Sequence, residues 1–371
     1  PLRILYAEPF EAGSHAAFSR VLTRGIAAEW MLLTLPGRHW KWRMRGSAAW
    51  FAAEYARLGE PPVDLVLASS FLPLAEFVGL VPSLARTPRV LYFHENQFAY
   101  PVREEFSGER DEHYGFTQLV SARAADRCAF NSRYGLETFL DGGRRLLARL
   151  PDAVPAGWIE GVEARSVVLP IPLDLPEVPE EALGDEPRGP GRARGPIVLW
   201  NHRWEHDKDP DTFFAALELL ASRDVPFRLA VAGESFRASP AVFERMRPEL
   251  GGRVVHWGRL ESRPAYLDLL ATVHLAVSTA RQEFFGVAVL EAVHFGARAV
   301  VPDRLAYREH FGPEHRYGGD ARSLADHLEP LCRDWSAGRI DLRASRGVPF
   351  LARTVLPAYR TLFEEVAAGR T

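Results

Sequence analysis

The feature that most restricts this chain is a rhythm that runs, stops and starts again. Short apolar runs rich in β-branched and aromatic residues fall at 2–7, 30–35, 63–68, 89–93, 127–131 and 166–169. Helix-patterned segments lie between them, at 14–28, 113–125 and 132–150. Runs that are apolar on both faces suit strands of a parallel sheet, whose helical crossovers cover both sides. At 185–196 the sequence DEPRGPGRARGP interrupts the pattern; its glycine, proline and arginine content marks a linker. The rhythm then resumes with strands at 197–201, 227–232, 254–257, 273–278 and 299–301. Helices are expected at 209–222, 241–249, 263–271, 287–295, 324–334 and 349–368. The prediction is an α/β protein of two Rossmann-like, doubly wound parallel-sheet domains, 1–184 and 197–371, facing across a ligand-binding cleft.

Composition narrows the function classes. A length of 371 residues fits two domains. Charged residues at 25% and hydrophobic ones at 47% exclude a disordered or fibrous chain. The net charge is −3, with 22 basic and 25 acidic residues before Gly195 and 23 of each from there on. Neither half is a charge-driven nucleic-acid binder, so any such contact has to come from a local patch. Cys128 and Cys332 form no CxxC pair, so neither a zinc site nor a disulfide framework is expected, and a reducing cytoplasm fits. The chain opens on a strand-like run, and no secretory leader is expected. The longest apolar stretch, 63–85, is broken by Asp64, Pro73, Glu76 and Pro82, so no membrane span is expected.

Five stretches carry chemistry. In VHLAVSTARQEFFGVAVLEAVHFG, 273–296, a strand leads through a loop holding Glu283 to a helix starting near Gly286 and carrying Glu291. Glu291 reads either as a carboxylate on a solvated face or as a site residue; its apolar flanks favour the second. A helix start at Gly286 would offer N–H groups to a diphosphate. In NHRWEHDKD, 201–209, Arg203 and Lys208 share a strand-to-helix loop. They suit phosphate as a fork and a point charge, while Asp209 and Pro210 read as the N-cap and first residue of a helix. In EPFEAGSH, 8–15, Gly13 lies at a strand-to-helix turn. In LYFHENQFAYP, 91–101, His94, Glu95, Asn96 and Gln97 follow a strand; they read as hydrogen-bonding groups for a polyhydroxylated ligand or as a polar loop. In LPGRHWKWRMRGSAAW, 35–50, Arg38, Lys41, Arg43 and Arg45 alternate with Trp40 and Trp42. That pattern suits stacking on bases beside phosphates, or a charged edge loop with tryptophans packed inward.

Glu283-x7-Glu291, placed after a strand in the second of two Rossmann-like domains, resembles the retaining GT-B glycosyltransferases of the GT4 type. The ordered set GSH, LPxxxWxWR, YFHENQ, FNS (130–132), WNHRWEHDKD, GE-F (Gly233 to Phe236) and EFFGVAVLEAV is similar to the tRNA-queuosine α-mannosyltransferase family, from about Ile4 to about Phe311. Ala12-Gly13 departs from the glycine pair usual in related enzymes. The resemblance implies a GT-B fold and retaining transfer of mannose from GDP-mannose to the cyclopentenediol of queuosine in the anticodon loop of tRNA for aspartate. No metal or other cofactor is implied. It implies that Glu283 binds donor-sugar hydroxyls, that Glu291 holds the ribose, and that His94 positions the sugar. Donor contacts are implied for Gly13, Arg203, Lys208, Gly233, Phe285, Gly286 and Val287. Acceptor contacts are expected for Ser14, His15, Arg38, Trp40, Lys41, Trp42, Arg43, Asn96 and Gln97. In similar enzymes the final helix crosses back to the first domain. Lipid, polysaccharide and small-molecule acceptors, and a non-catalytic binding module, are the alternatives. A lipid-acting enzyme would show an amphipathic basic helix in its first domain; the basic cluster here reads as short and interrupted by proline and glycine. For RNA, the net charge predicts modest, salt-sensitive affinity with few phosphate contacts.

Overall fold

In a computed structural model describing residues 1–100, 112–178, 192–234, 240–342 and 347–369, the two rhythms become two six-stranded sheets. Every strand pairing is parallel. The chain divides into two units, Pro1–Asp174 with Pro349–Thr371, and Leu175–Val348.

The first unit contains β1 (Arg3–Glu11), β2 (Glu29–Pro36), β3 (Leu65–Ser69), β4 (Arg89–Phe93), β5 (Arg127–Phe130) and β6 (Ser166–Val168), in the order β2-β1-β3-β4-β5-β6. Its helices are α1 (Gly13–Gly25), α2 (Trp40–Arg57), α3 (Leu74–Leu80), α4 (Glu112–Ala124), α5 (Arg133–Leu147) and α6 (Trp158–Glu163). The order reverses between β1 and β3, and in such sheets ligands bind at the carboxyl ends of the strands beside that switch. Strands β3 and β4 are almost wholly buried because helices lie on both faces.

The second unit contains β7 (Ile197–Trp200), β8 (Arg228–Ala232), β9 (Val254–Gly258), β10 (Leu275–Val277), β11 (Arg298–Pro302) and β12 (Arg316–Tyr317), in the order β12-β11-β10-β7-β8-β9. Its helices are α7 (Pro210–Ser222), α8 (Val242–Glu249), α9 (Arg263–Leu270), α10 (Val287–His294), α11 (Tyr307–His310) and α12 (Ala321–Ser336). Here the switch lies between β7 and β10.

Helix α13 (Ala352–Ala367) belongs to the first unit. Leu173 and Leu351 form a parallel bridge, and Tyr359 Oη donates to the carbonyls of Leu169 at 3.2 Å and Pro170 at 3.0 Å. Most of the expected linker, with Phe236 of the GE-F motif, lies outside the described residues.

One reading needs correction. The stretch after Pro36 is no edge loop: residues 40–57 form the 18-residue helix α2. Met44, Ser47, Ala48, Phe51 and Tyr55 are buried along it, a spacing that puts one helical stripe into the core. The criterion used against a lipid acceptor, the lack of a basic helix in the first unit, therefore falls. The two-residue edge strand β12 had no run long enough to be seen.

Candidate active site

At the first switch point the buried carboxylate is Glu8 of β1, which is fully inaccessible. It accepts from Phe10 N at 2.8 Å, Ser69 Oγ at 3.0 Å, His15 Nδ1 at 3.1 Å and Tyr6 Oη at 3.3 Å. Ser69 ends the neighbouring strand β3, and His15 lies in the first turn of α1. Burial pulls the His15 pKa down, but the Glu8 charge outweighs it, and the net shift is upward. Gly13, at φ 53°, begins α1 with open space where a Cβ would stand, and Ser14 is exposed beside it.

The His94 ring lies tilted by 31° against His15 at 3.9 Å between centroids and meets Phe18 edge-on at 4.7 Å. Both its ring nitrogens are buried and have no hydrogen-bond partner among the described residues. Burial, then the neighbouring His15, push its pKa well down, so the ring is neutral, with one N–H to give and one lone pair to accept. Glu8, His15 and His94 each bring a ligand atom within 4.8 Å of the others, a donor set that could hold a metal. The Glu8 oxygens already take four donors, so the geometry as it stands is a carboxylate–imidazole dyad beside a neutral ring.

The neighbouring polar residues are engaged within the protein. Asn96 Nδ2 donates to Gly135 O and Thr138 Oγ1, both at 3.0 Å, and its Oδ1 accepts from Ala99 N at 3.0 Å. Gln97 Nε2 donates to Glu95 Oε1 at 3.3 Å. The FNS segment is structural: Phe130 stacks on Phe93 at 4.3 Å, Asn131 holds the His94 carbonyl at 2.8 Å, and Ser132 caps α5. On and before α2, Trp40 packs against Tyr114 at 5.3 Å. Lys41 Nζ stands 5.7 Å over the Trp40 ring, Arg43 donates to Pro36 O at 3.3 Å, and Arg38 and Trp42 face solvent.

At the second switch point, Lys208 follows β7 and Glu283 follows β10. Lys208 Nζ lies 3.4 Å from Glu283 Oε2 and 3.3 Å from Asp207 Oδ2, and donates to Gln282 O at 2.8 Å. Burial lowers the Lys208 pKa, but Glu283 and Asp207 outweigh it and raise it overall. Burial raises Glu283; Lys208, His202 and the amides of Gly286 and Phe285 outweigh it and bring it below the usual range. Both groups are therefore charged, and the pair is a partly buried ion pair, its side chains 12% and 19% exposed. His202 beside it is held to about 4, chiefly by burial and then by Lys208. Its Nε2 has no hydrogen-bond partner among the described residues. Arg203 is half-exposed, 3.1 Å from Glu205.

Gly286, at φ 89°, caps α10, and a Cβ there would lie 2.8 Å from the Tyr307 ring, so only glycine fits. Two amides at this turn already serve Glu283. Phe285 is buried against His310 at 4.9 Å, and Val287 opens the helix. Glu291, one turn along α10, is not on a solvated face: Oε1 takes Arg263 at 2.5 Å and Oε2 takes Tyr266 Oη at 3.0 Å. Gly233, ending the β8 run, passes so close to β7 that a Cβ would meet the His202 carbonyl at 2.0 Å. Asp209 and Pro210 do start α7, with Thr212 N donating to Asp209.

Sequence reasoning missed Glu8, His202, Arg263 and Tyr266 as site residues. Glu8 was legible in principle, since it shares a strand face with Tyr6 two residues earlier. Arg263 and Tyr266 reach Glu291 only through tertiary packing.

Two parallel α/β units with charged groups gathered at the switch points define the GT-B class of glycosyltransferase. Solved structures of similar fold include Anabaena HepE in complex with UDP (TM-score 0.67, 14% identity, 98% of this chain and all of that one). Sucrose-phosphate synthase from Thermosynechococcus elongatus is another (TM-score 0.63, 16% identity, all of this chain and 97% of that one). Residues 3–173 match the family model described as tRNA-queuosine alpha-mannosyltransferase N-terminal, and 195–334 match glycosyl transferases group 1. A Drosophila melanogaster protein named tRNA-queuosine alpha-mannosyltransferase is 37% identical over 333 residues, covering 89% of this chain and 87% of its own length. The chain belongs to the tRNA-queuosine α-mannosyltransferase family and is a glycosyltransferase. No helix among the described residues is long and apolar enough to cross a membrane.

Proposed function

We propose that this enzyme transfers mannose from GDP-mannose to the cyclopentenediol of queuosine in the anticodon loop of tRNA for aspartate, with retention at the anomeric carbon. The observation that carries the reading is the partly buried Lys208–Glu283 pair beside the start of α10. Its cation suits a diphosphate and its carboxylate suits sugar hydroxyls. As the bond from the anomeric carbon to the diphosphate breaks, negative charge grows on the leaving oxygen. Lys208, Arg203 and the amides of the α10 first turn stabilise it, which lowers the barrier electrostatically. The acceptor hydroxyl adds to the same carbon, and its proton passes to the leaving diphosphate, so no protein base is required. Glu291 takes the ribose hydroxyls in exchange for Tyr266 or Arg263. His94 offers its unpartnered nitrogens to hydroxyls of the sugar. The leaving charge is met by side chains and amides, and the reading needs no metal.

A lipid acceptor is the second reading, and α2 is the observation that favours it. One assay separates the two. Queuosine-containing tRNA is incubated with protein and GDP-mannose or UDP-hexoses, and its nucleosides are analysed by mass spectrometry. Hexose on queuosine with GDP-mannose alone is the expected result. No hexose from any donor, with protein that still binds a nucleotide-sugar, rejects the tRNA acceptor.

A further inference from the structure

We infer that the solvent-facing side of α2 is a stacking surface for two unpaired bases of the acceptor tRNA; this rests on the tRNA reading above. At about 100° per residue, Trp42, Arg45, Gly46, Ala49, Trp50 and Ala53 fall on one stripe, opposite the buried Met44, Phe51 and Tyr55. Trp42 is 65% exposed and Trp50 59% exposed. Two indoles left in water on one helix face mark a surface that meets a partner. Their positions are about 12 Å apart along the axis, within the reach of a short single-stranded loop.

Gly46 shows how one platform is made. A Cβ at this position would lie 2.7–3.0 Å from three atoms of the Trp42 ring. Glycine is unfavourable inside a helix, and here it lets the indole approach the helix backbone closely while the ring stays 65% exposed. An exposed ring held close to its helix is a stacking platform, and base–aromatic stacking tolerates any base.

Charge selects the partner. From Arg38 to Arg57 there are five Lys or Arg residues and one carboxylate, Glu54, which is tied to Arg57 at 3.0 Å. Lys41 and Arg45 are held over the Trp40 and Tyr114 rings. This is a local basic, aromatic patch on a chain of net charge −3, the combination single-stranded nucleic acid requires. A second copy docked face to face would set the same cations against each other. A helix lying in a bilayer sets its Trp, Phe and Leu opposite a solvated face of Lys and Arg; here Arg45 shares the stripe with the tryptophans, and the opposite face is packed into the core.

The test is the affinity of full-length protein for queuosine-containing tRNA. Trp42→Ala and Trp50→Ala should each weaken binding by about 5- to 150-fold, and the KM for tRNA should rise by the same factor. Trp42→Phe and Trp50→Phe should restore most of it. Gly46→Ala should weaken binding while raising the melting temperature, because alanine favours the helix; a merely structural role would move both in one direction. Unchanged tRNA affinity in both alanine variants, with wild type binding and modifying tRNA, overturns the surface and leaves the acceptor reading intact. Wild type that neither binds nor modifies this tRNA overturns both. Loss of binding to anionic lipid vesicles, or loss of a dimer, in variants that still bind tRNA assigns the face elsewhere and overturns the RNA proposal.

Discussion

At the second switch point Lys208 has two carboxylates within 3.4 Å, and Glu291 has a guanidinium at 2.5 Å. At the first, Glu8 and His15 are paired, but the adjoining His94 has two buried nitrogens and no partner for either. The charged groups of the second cluster are paired with one another, although His202 Nε2 beside them is not, so a ligand reaching Lys208 or Glu291 has to exchange one partner for another. The first cluster is open by two hydrogen bonds, and each buried unmade bond costs about 1–3 kcal/mol. A hydroxyl-bearing ligand would recover that cost. Charge in the one region is preorganised, and hydrogen-bonding capacity in the other is held in reserve.

The comparison is broken most severely at Lys208. Lys208→Ala leaves Glu283 and Asp207 without their cation. It should lower kcat by about 10²–10³-fold and stability by about 1–3 kcal/mol, read from steady-state rates and melts. A rate within tenfold of wild type, with an unchanged melt, would show that the pair serves neither role.

Acid should affect the second unit through His202. Its folded pKa of about 4 lies below the unfolded value near 6.5. The unfolded chain therefore binds more protons between those pH values, and stability falls as pH falls through that window, by about 3 kcal/mol in full. His310, also held to about 4, adds to the same trend. His15, raised by Glu8, works oppositely: its contribution is complete below about 6.5 and is lost as pH climbs through its folded value. Denaturant melts at pH 7.5 and 5 should show the loss, and His202→Asn should reduce it. Equal slopes in both proteins would sink the assignment.

The smallest effect is expected at the dyad. Glu8→Gln keeps the shape and removes the charge, so the His15 pKa should drop, with a loss of turnover smaller than that at Lys208. Imidazole NMR titration and a kcat–pH profile read the two changes. A His15 titration that stays put would refute the coupling.

How much of this was legible depended on where each residue's neighbours come from. Runs such as 89–93 and 63–68 could be read because strands covered on both faces carry nearly unbroken apolar sequence. Lys208 and Glu283 were found because both lie in the loops that leave the carboxyl ends of strands, where site residues of such sheets collect. The helix α2 was missed although Met44, Ala48, Phe51 and Tyr55 are spaced for one. Its start has no capping side chain, His39 standing there in the left-handed region, and the alternation of tryptophan with cations masked the period. The partners of Glu291 were invisible because Arg263 and Tyr266 lie 28 and 25 residues away, and only packing brings them together.

The membership of α13 in the first unit has a consequence for how the enzyme is made. Val355, Leu356, Tyr359, Leu362, Phe363 and Val366 are buried along it, together worth on the order of 10 kcal/mol, comparable to the whole net stability of a domain at about 5–15 kcal/mol. A ribosome emits this helix only after all of Leu175–Val348. The unit that begins synthesis first is thus the one completed last, and the middle of the chain can fold while its predecessor still waits, partly uncovered, for its closing helix.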